Sequence, residues 1–246
     1  MVVAIIPARG GSKGIPNKNL KLVNNHPLIA WSIAAARASQ KIDRIIVSTD
    51  SQDIADVVKT YGAEVPFLRP AEMADDQSRD LAFLQHALNW FQQEENTTPK
   101  MWVQLRPTSP LRTGGIIDEA IAKLQNNASA DSLRIVTKAP LTPYKMWNLS
   151  EDNKLNPLLK LENVPEPFNE PRQSLPQTYW QIGTLDVIRS RTILEQNSVS
   201  GQNILGMEVP NNWALDIDNL EDLEKASSAL SQTPFNQLEN YLHGKK

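Results

Sequence analysis

Alternation is the feature that most constrains this chain. Short apolar, β-rich runs recur along it, and the segments between them carry apolar residues at helical spacing. Residues 1–6 form an unbroken run of the kind expected for a strand covered on both faces, and Pro7 ends it. Helical spacing follows over 28–38, then a strand over 43–48. Next come a helix capped by Asp50 or Ser51 and stopped at Gly62, and a short strand over 64–67. A helix over 78–91, with Leu81, Leu84, Leu88 and Phe91 on its apolar face, precedes a strand over 101–106, a helix after Thr113 and a strand over 131–139. This order predicts a parallel α/β sheet with right-handed crossovers, in which ligands gather at the carboxyl ends of the strands.

The alternation fails over 140–176, where prolines recur and Tyr144, Trp147 and Phe168 are scattered without a period. A connection this long reads as a functional arm, crossing the mouth of a site or packing on a second subunit. Regular structure returns over 179–189 and 203–209, and a last helix starts near Asn219. The expected organisation is one domain over 1–231, with the arm at about 140–178 inserted, and a weakly attached tail over 232–246. A formal net charge of −3 argues against nucleic acid as a partner. With no cysteine there is no disulfide framework or thiolate metal site, which fits a reducing, cytoplasmic setting. No apolar stretch approaches the roughly 20 residues of a membrane span, and residues 2–6 lack the flanks of a signal peptide.

The loop after the first run concentrates chemistry. Gly10, Gly11 and Gly14 bring backbone amides close to a ligand, Arg9 and Lys13 add positive charge, and Ser12 adds a hydroxyl. Together they make an anion cradle where a phosphate chain would sit. Neither G-x-G-x-x-G nor G-x-x-x-x-G-K-[ST] can be drawn through it. Asp216 and Asp218, two apart in an extended segment, point to the same side and can reach one hard cation, although Asp218 is also placed to cap the following helix. None of His26, His86 and His243 sits in a recognised motif; His86 reads as helix surface and His243 as tail.

Five stretches, "IIPARGGSKGIPNKNL", "DRIIVSTDSQDIADVVKTYGAEVPFLRP", "RPTSPLR", "RQSLPQTY" and "DIDNLEDLEKA", together resemble the CMP-sialic acid synthetase family of cytidylyltransferases. They follow the family's order and reach to about residue 226. The resemblance implies a three-layer α/β/α fold of the nucleotide-diphospho-sugar transferase type, an extended dimerisation arm, a homodimer, and Mg²⁺. It also implies that Ala8, Arg9, Gly10, Gly11, Ser12 and Lys13 hold CTP, with Arg9 and Lys13 catalytic and Asn19 at the nucleoside end. Arg69 falls where the family reads the cytosine edge, whose acceptors suit a guanidinium, and a plain surface arginine is the alternative. Ser78 is a further nucleotide contact or the cap of its own helix. Asp216 and Asp218 match the metal position, and Arg106, Arg172, Gln173 and Tyr179 lie where the family contacts the sugar acid.

Three departures fall in the acceptor half. Arg106 replaces a usual glutamine, and "IGTLD" replaces an "NGAIY"-like strand, placing Ile182 at the asparagine and Asp186 at the tyrosine position. The implied reaction is attack of the anomeric hydroxyl of an acidic 2-keto-3-deoxy sugar on the α-phosphorus of CTP, with an acceptor other than ordinary N-acetylneuraminate. Alternatives are a cytidylyltransferase for Kdo or an aminoalkylphosphonate, and a non-catalytic nucleotide-binding module.

Overall fold

The computed structural model describes residues 1–12, 14–75 and 78–242, so His243 lies outside the described residues. Strand β1 (Val2–Pro7) is buried on both faces as far as Ile6, and layers must therefore cover it from both sides. The chain continues through α1 (Leu28–Ala38), β2 (Arg44–Ser48), α2 (Gln52–Thr60), α3 (Asp80–Glu94), β3 (Met101–Gln104), α4 (Gly114–Gln125) and β4 (Ser132–Lys138). Beyond the arm lie β5 (Tyr179–Arg189), α5 (Ser190–Gln196), β6 (Ile204–Glu208) and α6 (Leu220–Leu230).

The strands form one six-stranded sheet in the order β6-β4-β5-β3-β1-β2. Strand β1 pairs in parallel with β2 and β3, β6 pairs in parallel with β4, and β5 alone runs antiparallel to its neighbours β3 and β4. One apolar layer holds Trp31 of α1, Ile117 and Ile121 of α4 and Leu223 of α6. The opposite layer packs Phe83, Leu84 and Phe91 of α3 and Ile193 of α5 against Trp102 and Ile188. The expected three-layer, mainly parallel architecture is present.

Helix starts follow local capping chemistry. The hydroxyls of Ser51 and Thr113 accept the amides of Ile54 and Ile116, and the Asn219 side chain accepts that of Asp222. Of the two expected caps for α2 it is Ser51 that serves. Asn219 takes the capping role that was open to Asp218, and α3 begins at Asp80, so Ser78 caps nothing. Gly62 ends α2 at φ +82°, a conformation that side-chain-bearing residues resist.

Three expectations need correction. Residues 64–67 form isolated bridges from Glu64 to Ile46 and from Leu68 to Thr49 rather than a strand, because Pro66 between them has no amide to donate. The arm is not wholly irregular: Trp147–Leu149 pairs antiparallel with Leu155–Pro157, and the Trp147 and Phe168 rings pack 4.5 Å apart. Residues 232–242 are not weakly attached, since Phe235, Leu238 and Leu242 are buried in the layer around α1 and the Phe235 ring lies edge-on to Trp213 at 5.0 Å. Among the described residues no helix is long and apolar enough to cross a membrane.

Deleting a buried aromatic side chain that the surroundings cannot refill typically costs ~3 kcal/mol or more. Phe235→Ala should therefore lower unfolding free energy by ~3 kcal/mol in a denaturant titration, where a peripheral tail would lose under ~1 kcal/mol.

Candidate active site

Strand β1 delivers the chain to the carboxyl edge of the sheet, and the glycine-rich loop is fixed there from several sides. The Ala8 amide donates to the Ser48 carbonyl at 3.0 Å, and the Gly10 amide donates to Asp50 Oδ1 at 2.9 Å. A Cβ on Gly10 would lie 3.1 Å from Ser51 Cβ, so the loop rests directly on the start of α2. On the far side, a Cβ on Gly14 would lie 2.6 Å from the Asp218 carbonyl oxygen. Only glycine allows that approach. Lys18 closes the same seam, donating to the Ile217 carbonyl at 2.5 Å and to Asp218 Oδ1 at 3.4 Å. The buried Asn19 donates to the Arg9 carbonyl at 3.1 Å and so braces the loop from beneath.

Above this edge opens a cleft of about 400 Å³. It brings together Arg9, Ser12, Asn19, Arg69, Ser78, Arg106 and Asp218 of the expected residues, and adds Lys18, Asp75, Asp80 and Phe83. Ala8, Gly10 and Gly11 are not among its lining residues, and neither are Asp216, Arg172, Gln173 and Tyr179. Lys13 lies outside the described residues. Arg172 sits in an exposed turn with Nη2 on the Ala139 carbonyl at 3.1 Å, Gln173 is exposed beside it, and Tyr179 begins β5 half-exposed.

Arg69 is no surface arginine. It is buried, donates from Nε to Ser48 Oγ at 3.1 Å and from Nη2 to the Ser48 carbonyl, and its guanidinium lies 5.1 Å from the Phe83 ring centre. Burial pulls its pKa below the ordinary arginine value, partly offset by Asp50 and Asp80. Ser78 donates to Asp75 Oδ1 at 2.7 Å, across the rim of the cleft. His86 also departs from the expected helix surface: its ring packs edge-on to Phe67 at 4.7 Å and its Nδ1 is buried with no hydrogen-bond partner among the described residues. Burial, then the Arg69 charge, lower its pKa.

At the other end of the cleft Arg106 spans two carboxylates, donating from Nη1 to Asp186 Oδ2 at 2.8 Å and from Nη2 to Asp80 Oδ2 at 2.5 Å. Burial works against its charge, and the two aspartates overcome that, holding its pKa above the ordinary value. The fully buried Arg112 anchors the backbone beneath, donating to the carbonyls of Arg106 and Ser109. Ile182, at the asparagine position, is buried in the apolar layer and is not among the residues lining the cleft.

Asp216 and Asp218 are both exposed and flank the buried Ile217. The Ser109 hydroxyl lies 3.5 Å from Asp216 Oδ1. Among the described residues no group of three or more His, Asp or Glu could hold a metal ion. The pair nevertheless fits a hard cation that takes its other oxygens from phosphate and water, because both donors are exposed carboxylates two residues apart and Asp218 lines the cleft.

Lys18 stood within a quoted motif and could have been singled out by its charge beside the glycines. Asp80 had no such signal. It reaches the cleft because α3 starts there and its carboxylate receives both Arg106 and Gln104 Nε2, the latter at 2.8 Å.

The profile of a family described as cytidylyltransferase matches residues 3–241. A pseudaminic acid cytidylyltransferase of Campylobacter jejuni is 31% identical over 224 residues, covering 91% of this chain and 94% of that one. An N-acylneuraminate cytidylyltransferase of Escherichia coli is 29% identical over 225 residues, 92% of this chain and 51% of the relative. Among solved structures, a CMP:2-keto-3-deoxy-manno-octonic acid synthetase complexed with CTP superposes with a TM-score of 0.68 at 14% identity, covering 94% of this chain and 98% of that one, a likeness of fold.

Because the loop meets the acidic segment at Gly14 without space for a methyl group, Gly14→Ala should cost ~2 kcal/mol of stability, the scale of forced overpacking. Denaturant melts of the two proteins check it, and equal stabilities would mean that the seam is slack.

Proposed function

The chain belongs to the cytidylyltransferase family, and on that premise we propose that it transfers CMP from CTP to the anomeric hydroxyl of a nonulosonate, a sialic-acid-like 2-keto-3-deoxy sugar acid, releasing pyrophosphate. The observation that supports this most is the cleft at the carboxyl edge of the sheet, where Arg9, Lys18 and Arg69 converge beside the glycine-rich loop. A triphosphate carries several negative charges, and preorganised cations and amides lower the barrier by meeting charge that grows in the transition state.

In this reading the sugar hydroxyl oxygen bonds to the α-phosphorus as its proton passes to solvent water, the bond from that phosphorus to the bridging oxygen breaks, and the electron pair leaves on pyrophosphate. Arg9, Ser12 and Lys13 hold the phosphates in line with the incoming hydroxyl, and alignment is much of what such a displacement requires. Arg69, rigid against Ser48 and Phe83, donates to the cytosine edge, with Asn19 and Ser78 nearby at the nucleoside end. Arg106 meets the acceptor, and Arg172, Gln173 and Tyr179 join it if the arm folds over the mouth. A divalent cation, Mg²⁺, on Asp216 and Asp218 would supply Lewis-acid neutralisation of phosphate oxygens. The arm, with Leu141, Leu149, Leu155 and Leu158 exposed, is the surface on which a second copy would pack to form a homodimer.

Pyrophosphate release should be measured with CTP, UTP, ATP and GTP against pseudaminate, N-acetylneuraminate, Kdo and an aminoalkylphosphonate. The expected result is turnover with CTP and a nonulosonate only. Turnover confined to Kdo or the phosphonate would reassign the acceptor, and tight CTP binding without release from any acceptor would mark a non-catalytic module. Lys13→Ala should reduce turnover by about a hundredfold, the scale of losing one transition-state donor, and near-normal turnover would remove its role.

A further inference from the structure

We propose that Asp186, sealed inside the sheet, positions Arg106 at the acceptor end of the cleft and so determines which acidic sugar is accepted; this rests on the cytidylyltransferase reading above. Arg106 and Asp186 look like separate departures along the chain, eighty positions apart, but in the fold they are one contact of 2.8 Å. The Asp186 side chain is 0% exposed, while that of Asp80, the other carboxylate on Arg106, is 36% exposed.

The register explains how the pair is built. On the antiparallel β5, Asp186 stands opposite Gln104 of β3 on one side and Arg134 of β4 on the other, so the three side chains share one face. Arg134 Nη1 reaches Asp186 Oδ2 at 2.7 Å and its Nη2 reaches Ser200 Oγ at 2.7 Å. The β4–β5 register slips immediately beyond, between Arg134 and Val136. Bulges re-aim side chains next to functional sites, and this one lies beside Gly183, where a Cβ would fall 2.5 Å from Ser109 Oγ and 3.5 Å from Arg106 Cδ.

A buried carboxylate shared by two arginines is an expensive way to fill a sheet whose flanking Leu185, Val187 and Ile188 are apolar. Its yield is geometric. Arg112 holds the Arg106 carbonyl, Asp186 holds Nη1 from the dry side, and Asp80 holds Nη2 from the wet side. Asp186 is then the permanent partner and Asp80 the exchangeable one, which the carboxylate of an arriving sugar acid replaces on the arginine fork.

The test uses the full-length protein and the acceptor it turns over best. Asp186→Asn and Arg106→Gln should each raise the acceptor KM at least tenfold while the CTP KM stays within twofold. The double variant should be no worse than Arg106→Gln alone, because residue 186 acts only through Arg106. Additive effects, or equal rises in both KM values, would overturn the proposal. If Asp186→Asn does not fold, Arg106→Lys carries the test: it keeps the charge but lacks the fork to span Asp186 and Asp80, and a wild-type acceptor KM would refute the assignment. Should no acceptor be turned over, the proposed function fails by itself. The positioning is then read from the Arg106 Nη1–H resonances, which are expected to be solvent-protected in the wild type, to lose that protection in Asp186→Asn and, if that variant does not fold, to keep most of it in Asp80→Asn, where full loss would overturn the proposal. Protection absent from the wild type, or unchanged by loss of the Asp186 partner, overturns it.

Discussion

The seam between residues 14–18 and 217–218 is the constraint on which the rest of the cleft depends. Gly14 lies against the Asp218 carbonyl, and Lys18 donates to the carbonyl just before it. Neither contact involves a ligand, yet together they set the distance between the glycine-rich loop and the segment that carries Asp216 and Asp218. The sheet alone could not do this, because β1 ends before the loop begins and no strand carries Asp216 and Asp218. A close backbone approach, permitted by one missing Cβ, does what a strand pairing does elsewhere in the fold.

Charge is distributed along the cleft in two different ways. At the glycine-rich-loop end the cations Arg9, Lys18 and Arg69 share the cleft with Asp218, and Arg69 is held by a carbonyl, a hydroxyl and an aromatic face. At the opposite end Arg106 is bound by two aspartates. One end thus offers positive potential, suited to a polyanion, and the other offers a guanidinium already neutralised by its two carboxylates. Any anion that reaches the second end meets a guanidinium whose two Nη groups already hold carboxylates.

Much of the architecture was legible because it rests on local chemistry. The apolar run of β1, the spacing of α1, the Ser51 and Thr113 caps and the Gly62 stop are all decided within a few residues. The glycine-rich loop and Arg69 were legible as chemistry, and the structure joins them in one cleft. What stayed hidden depends on distant partners. Phe235, Leu238 and Leu242 sit among polar residues and look peripheral until α1 offers a surface to bury them. Asp80 reads as an ordinary helix start. Arg106 and Asp186 read as two unrelated substitutions, and only the antiparallel placement of β5 turns them into a pair. The Glu64–Leu68 stretch erred in the other direction, a good strand pattern spoiled by a proline where a donor was needed.

The seam also has a consequence for synthesis. It ties residue 18 to a carbonyl 199 positions later, whereas β1, β2 and β3 can pair once about the first hundred residues exist. A ribosome-bound chain can therefore assemble half of its sheet long before the anion cradle acquires its opposite wall. Closure of the cleft becomes a property of the nearly finished polypeptide, since a chain that stops upstream of Ile217 lacks the carbonyl on which Lys18 seats.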